Sequence, residues 1–384
     1  MAESNRIKES CPELHFVEPS NKLAEYHFRK TEHTAALIKE GKNIATTHAA
    51  FRNYTRHTLK KIKDMGYALI IDESLDILIE SQMKSNDIGG LVATGFLQSD
   101  GITYKATDKL YDSGKFEGEM KMFRSRDILS VDGQRGEKLY YWALPPELLT
   151  SFDEVFVLTY LFSGQSLCYF MKIYNIPYRY IGVSLKDGVY RFADNAEYVP
   201  EYTHHIKDLI HIVEHPKLNR IGDKTHALSM NWYQSRKAGE DGELKVVKNH
   251  ISNCYKHIWK DGKPSERMWG TYKCACNKIK GKGYTKNFVI FNERATNSYI
   301  NKKYLAYAVN IFMNVSEKRV CEKFGVEVDQ DMYALSTMLQ WIWRSAIRRG
   351  EEIWLYVPSS RMRKLLKDWM ERVQNGDKDD EDYE

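Results

Sequence analysis

The sequence lacks any apolar run approaching the roughly 20 residues that a helix needs to cross a membrane, so no membrane association is expected. Its opening residues, Met1 to Lys8, lack the apolar core of a secretory signal, which argues against export. Cysteine is sparse and unframed: Cys11, Cys168, Cys254, Cys274, Cys276 and Cys321 form no disulfide pattern and suit a reducing cytoplasm. No repeat at solenoid periods is present. Also missing is the glycine-rich phosphate loop, G-x-x-x-x-G-K-S/T. Residues 1–15 contain no glycine, and neither Gly222-Asp223-Lys224-Thr225 nor Gly281-Lys282-Gly283 has the spacing.

What is present describes an ordinary globular protein, 384 residues long, with 42% hydrophobic and 28% charged residues. That length exceeds what one hydrophobic core usually serves, so two or three domains are expected. The net charge of +5 conceals a polarity. Residues 377–384 hold six acids and one lysine, a contribution of −5, which leaves the body at +10. Such a body attracts phosphate backbones, and the acidic tail either stays solvated or covers the basic surface.

Helices and strands alternate along the first third. Leu14 to Val17 reads as a short strand stopped by Pro19, residues 21–39 as a helix, Asn43 to Thr46 as a second strand, and residues 49–63 as another helix. Tyr67 to Ile71 is a continuous apolar run, the pattern of a parallel strand covered on both faces. A similar unit opens near Ser151, with strands at Glu154 to Thr159 and Tyr178 to Val183. The rhythm weakens between 185 and 284 and returns with Phe288 to Phe291, a helix over 334–348 and a strand at Ile353 to Val357. The expected organisation is a first lobe over 1–150, a second over 151–184 and 285–370, an inserted and mostly helical region over 185–284, and an acidic tail over 371–384.

Three groups of residues carry candidate chemistry. Asp72 and Glu73 follow the apolar strand at its carboxyl end, where ligands bind in open α/β sheets. In nucleotide-hydrolysing folds such an aspartate holds Mg²⁺ and the glutamate orients the attacking water. Thr46, Thr47 and His48 end an earlier strand and can contact a phosphate backbone, although a helix N-cap by one of the threonines is the plainer reading. Gln340, Arg344 and Arg348 are spaced as one row on a helix, from which guanidiniums can reach a polyphosphate across a cleft between lobes. Trp341 and Trp343 flank that row as candidates for base stacking. Arg361, Arg363, Lys364 and Lys367 form a further basic cluster, suited to phosphate or to solvent. His250, Cys254, His257, Cys274 and Cys276 have thiolate and imidazole ligands but lack the usual C-x₂-C pair, so structural zinc is not expected.

In their order and in the strands that bear them, these pieces resemble the superfamily 2 helicases, of the DEAD/DEAH-like kind found in bacteriophages and prophages. Phe16 to Ser20 is similar to motif Ia, Ile44 to His48 to motif Ib, Asp72-Glu73-Ser74 to the Walker B box and Val157 to Tyr160 to motif IV. Asn292 to Asn297 resembles the motif V region and Gln340 to Arg348 motif VI. The likeness spans most of 12–160 and 285–368. It implies an α/β fold of two RecA-like parallel-sheet lobes with an inserted helical region. It further implies a phage-encoded protein in the host cytoplasm that unwinds or translocates along nucleic acid, DNA before RNA, with ATP and Mg²⁺. Asp72, as Mg²⁺ ligand, Glu73, Gln340, Arg344 and Arg348 would serve catalysis. Thr46, Thr47, His48, Thr159, Arg294, Thr296 and Asn297 would contact the nucleic acid. The missing phosphate loop departs from the family and argues against ATPase activity of this chain alone. The contrasting expectation is a non-catalytic phage protein on a degenerate helicase scaffold, occupying nucleic acid or a host protein. A metal-dependent nuclease would want more clustered carboxylates than Asp72 and Glu73.

Overall fold

The computed structural model describes residues 8–375 apart from 28, 74, 76, 134–135, 194–200, 236–238, 240–241 and 294–297. The chain forms two α/β units. One comprises Met1–Tyr160, Ser166–Pro177 and Asn314–Val328; the other comprises Leu161–Gln165, Tyr178–Met313 and Asp329–Glu384. Among the described residues no helix is long and apolar enough to cross a membrane.

In the first unit, strand β1 (Ala68–Asp72) pairs in parallel with β7 (Glu154–Leu158), Ile70 opposite Phe156. The strand expected to open the second lobe therefore completes the first. Its larger sheet is antiparallel, in the order β2 (Leu78–Glu80), β6 (Lys138–Ala143), β5 (Asp127–Asp132), β4 (Thr103–Ala106), β3 (Leu97–Ser99). A lobe built on parallel strands alone is thus corrected. The hairpins have a visible local cause: Asp100 accepts the Ile102 and Thr103 N–H groups, and Gly101 takes φ 96, which turns the chain between β3 and β4. Those backbone donors hold the Asp100 carboxyl below its ordinary range. The sheet buries Ile128, Trp142, Tyr140 and Phe123 with Ile88 and Leu91 of the Ser85–Ala93 helix, while the Val315–Lys323 helix packs on β5.

Upstream the expected elements are shorter than the sequence suggested. Pro12–Leu14 is a 3₁₀ turn, with proline at its start, and Val17 alone bridges Ile44 in parallel. The helix expected over 49–63 is two pieces, His48–Phe51 and Arg56–Met65, because Thr55 leaves the helical conformation and its hydroxyl caps Thr58 N–H.

The second unit holds a four-stranded, wholly parallel sheet in the order β10 (Ile210–Ile212), β13 (Ile353–Tyr356), β12 (Tyr304–Tyr307), β11 (Arg267–Gly270), extended by a parallel bridge from Trp269 to Phe288. Two of these strands come from the stretch expected to be a helical insertion, which is therefore part of the sheet itself. The expected strand at Tyr178 to Val183 is instead the start of a separate antiparallel hairpin, β8 (Gly182–Lys186) with β9 (Val189–Ala193).

Aromatic residues fill this unit. Trp269, Trp341, Tyr233, Tyr255, Tyr284, Tyr307 and Tyr356 are all fully buried. A buried hydroxyl is costly without a partner, by about 1–3 kcal/mol. Here Tyr233 donates to Ala308 O at 2.9 Å, Tyr255 to Met268 O at 2.7 Å, Tyr284 to Ile279 O at 2.6 Å and Tyr356 to Leu218 O at 2.7 Å. The Ser360–Asn375 helix closes the core with Met362, Leu366, Trp369 and Met370, a helical stripe.

Candidate functional site

Asp72 stands exposed at the carboxyl end of β1, directly opposite Leu158, so Asp72 and Thr159 occupy neighbouring strand ends. Glu73 follows with φ 66, and its N–H bonds Leu158 O at 3.0 Å. A non-glycine residue in that left-handed region carries strain of about 1–3 kcal/mol, a feature that clusters at functional sites. Thr46 is exposed and lies near the Tyr54 hydroxyl, while Thr47 accepts the Ala50 N–H at 3.3 Å and so caps the short helix beginning at His48. The capping role is the plainer of the two expected for that triplet.

The same unit contains a buried charge pair that the sequence reading missed. Asp127, at 1% exposure, is bonded by the Arg56 guanidinium, which also donates to Phe123 O at 2.8 Å. Burial outweighs Arg56 and holds the Asp127 carboxyl above its ordinary range. This group anchors β5 beneath the Arg56–Met65 helix.

The arginine row is not a row. The helix that bears Gln340 spans Gln330–Ile342 and ends there, because Ser345 adopts extended backbone and the Ala346 N–H turns to Lys302 O at 2.9 Å. Arg344 lies beyond the helix, 4% exposed in the core of its own unit beside Tyr299, and Arg348 sits exposed on a 3₁₀ turn, Ala346–Arg349. Only Gln340 remains on the helix. Base stacking by Trp341 is likewise corrected: it is fully buried, its ring within 2.8 Å of where a Cβ on Gly270 would stand. Trp343 packs edge-on against Trp369 at 5.3 Å. Arg294, Thr296 and Asn297 lie outside the described residues.

In a parallel sheet the expected ligand crevice is the place where neighbouring strands send their connections in opposite directions. Here that place is the carboxyl end of β11 and β12: β11 leads outward to the Phe288 bridge and β12 leads back to β13. The crevice is filled by the chain itself. Asn310, at 1% exposure, donates its side-chain amide to Thr225 O at 2.8 Å and Ala227 O at 3.1 Å, and its N–H to Leu228 O at 3.0 Å. Tyr233 and Thr271 both donate to Ala308 O, and Tyr272 to Asn310 O at 2.8 Å. Arg361 seals the rim, donating to Asn310 Oδ1, Ile311 O and Gln330 O and pairing with Asp331 at 2.6 Å. Burial pushes the Tyr233 and Tyr272 hydroxyls well above their ordinary values. One signal for this plug was legible: Asn310 is a lone amide inside the apolar run from Tyr307 to Met313.

The cysteine and histidine set does not converge. Cys254 is fully buried, with its thiol pushed up to about 12, whereas His257 and Cys274 are exposed. Among the described residues no three acidic, histidine or cysteine side chains are grouped as a metal site.

Comparison with known proteins places this architecture. Residues 204–370 match the YonV C-terminal Rossmann-like domain, a continuous span that begins before β10 and ends in the last helix. Over 377 residues the chain is 33% identical to the SPbeta prophage-derived uncharacterized protein YonV of Bacillus subtilis (strain 168), covering 96% of this chain and 90% of that relative. No solved structure matches the chain. With this likeness running through both units and the parallel sheet falling inside the matched domain, the chain belongs to the YonV family.

Proposed function

We propose that this protein, like its relative of prophage origin, binds nucleic acid and does not hydrolyse ATP on its own. One observation carries the second half of that reading: the crevice at the carboxyl end of β11 and β12 is occupied by Asn310, Tyr233 and the Thr225–Leu228 segment. The residues present do not fit a triphosphate. No glycine-rich loop offers its N–H groups, and Arg344 is buried in its own unit. The first half rests on charge, a body of +10 once the acidic tail is set apart. The resemblance to helicase motifs is then that of a scaffold which holds nucleic acid.

A competing reading, ATP-dependent translocation once a partner completes the site, draws support from Asp72 and the strained Glu73 beside Thr159. Equilibrium binding of a fluorescent ATP analogue, with hydrolysis measured in the presence and absence of single-stranded DNA, separates the two. No binding at millimolar nucleotide is expected. DNA-stimulated turnover that Glu73→Gln abolishes would reverse the conclusion.

A further inference from the structure

The segment from Glu243 to Asn287 contains ten lysines and one arginine against three acids, Glu243, Asp261 and Glu266. All ten lysines are exposed, and none has a carboxylate partner among the described residues. Two of the acids are already engaged: Glu243 pairs with Lys224, and Glu266 accepts the Lys263 N–H at 3.0 Å. The positive charge of this segment is therefore left to the solvent.

The topology gathers half of these lysines on one rim. The turn from Trp259 to Glu266 leads into β11, and the turn from Gly281 to Asn287 leads into the Phe288 bridge, so both lie at the amino end of the parallel sheet. Arg267 ties the two turns together, donating to Gly262 O and to Gly283 O, each at 3.0 Å, with its guanidinium over the Tyr255 ring at 5.3 Å. Asn287 adds a bond to Pro264 O at 2.9 Å, and Lys302 reaches Ser265 O at 2.7 Å. Lys260, Lys263, Lys280, Lys282 and Lys286 thus project from a braced platform.

We propose that this rim, at the edge of the Rossmann-like sheet opposite the filled crevice, is where the protein grips the phosphodiester backbone of nucleic acid. The inference rests on the nucleic-acid reading above and gives it a location. Lysines are point charges that neutralise phosphates without reading bases, so the contact is insensitive to sequence. A bilayer is a poorer fit, because surface-bound segments pair basic residues with a broad inserted apolar face, and the five lysines stand on polar turns.

The test uses the full chain and a variant carrying Lys260→Ala, Lys263→Ala, Lys280→Ala and Lys282→Ala, titrated against labelled DNA and RNA of mixed sequence at several salt concentrations. Each lost phosphate contact should lower the slope of log affinity against log salt by about 0.7–0.9, so a fall of about 3 and an affinity loss of at least about tenfold are expected. The same positions changed to Arg should retain binding. Protection of these lysines from acetylation by DNA, measured on the unaltered chain, gives a readout independent of the variant's folding. A parent that binds while the variant matches it, with no protection on the rim, would overturn this location and leave nucleic-acid binding standing. A parent that binds neither DNA nor RNA at low salt, or binds only anionic phosphatidylserine vesicles, would overturn both.

Discussion

Two stretches of this chain are similarly rich in basic residues and opposite in what their charges do. On the last helix, Arg361 is spent on Asp331, Asn310, Ile311 and Gln330, Arg363 on Val357 O, Pro358 O and Glu214, Lys364 on Asp368 and Lys367 on Glu214. Between Glu243 and Asn287 the lysines are exposed, and among the described residues none is ion-paired with a carboxylate. The difference lies in the neighbours that folding supplies. Glu214, just after β10, and Asp331, at the start of the Gln330–Ile342 helix, are distant in sequence and reach the last helix only through tertiary packing. A density of lysine or arginine in a sequence becomes an interaction surface only where no acid folds against it.

The largest effect expected from this contrast is at Arg361. Its removal leaves buried Asn310 and carbonyl acceptors without their donor, so Arg361→Ala should cost about 2–4 kcal/mol in urea denaturation and leave nucleic-acid affinity of the folded fraction unchanged. A loss of affinity with intact stability would move the binding surface to the last helix. Next comes Gly222→Ala. A Cβ there has no room against the Pro358 carbonyl, where Ser360 bonds Gly222 O at 3.1 Å, and about 1–3 kcal/mol should be lost with binding again unaffected. On the other side of the comparison, Lys282→Ala should leave stability within about 0.5 kcal/mol. Its effect should appear as a salt slope about 0.7–0.9 smaller. Smallest is removal of residues 376–384, which takes away six acids and one lysine and so raises the net positive charge of the chain. Affinity should rise a few-fold at low salt and converge with the intact chain at high salt; a fall would assign the tail a positive role in binding.

Asp127 offers a pH test of the other buried charge. Because burial raises its folded pKa, its stabilising contribution is complete at low pH and declines as pH rises through that raised value. Asp127→Asn should therefore gain on the parent in urea midpoint between pH 4 and pH 7. A difference that does not move with pH would mean that Arg56 cancels the burial.

Much of the local structure was legible. The apolar run ending in Asp72 is β1, although it lies in a two-stranded sheet with Ile70 exposed and is not covered on both faces as its apolar pattern implied. Ile353 to Tyr356 is β13, and the class, two α/β units with parallel strands, follows from alternating helices and apolar strands. The antiparallel sheet was missed although Asp100-Gly101 and Asp132-Gly133 mark its turns, because the three-residue strands β2 and β3 are too short to show a period. The region between 185 and 284 read as an insertion for the same reason. β10 is three residues long, and β11 carries Arg267 in a strand whose remaining residues are buried. At the candidate site, Asp72 and Glu73 were found at a strand end as expected, but helical spacing at Gln340, Arg344 and Arg348 said nothing about Ser345, which ends the run.

The sequence by itself determined the class of the fold, the position of the long apolar strands, the absence of a phosphate loop and the basic excess of the body, because each is a property of composition or local period. Tertiary structure decided which strands pair, that the crevice of the parallel sheet is filled, that Arg344 is buried and which exposed lysines have no ion-pair partner among the described residues. Those outcomes depend on contacts between residues tens to more than a hundred positions apart, such as Asn310 with Thr225 and Lys367 with Glu214, and no local pattern encodes them.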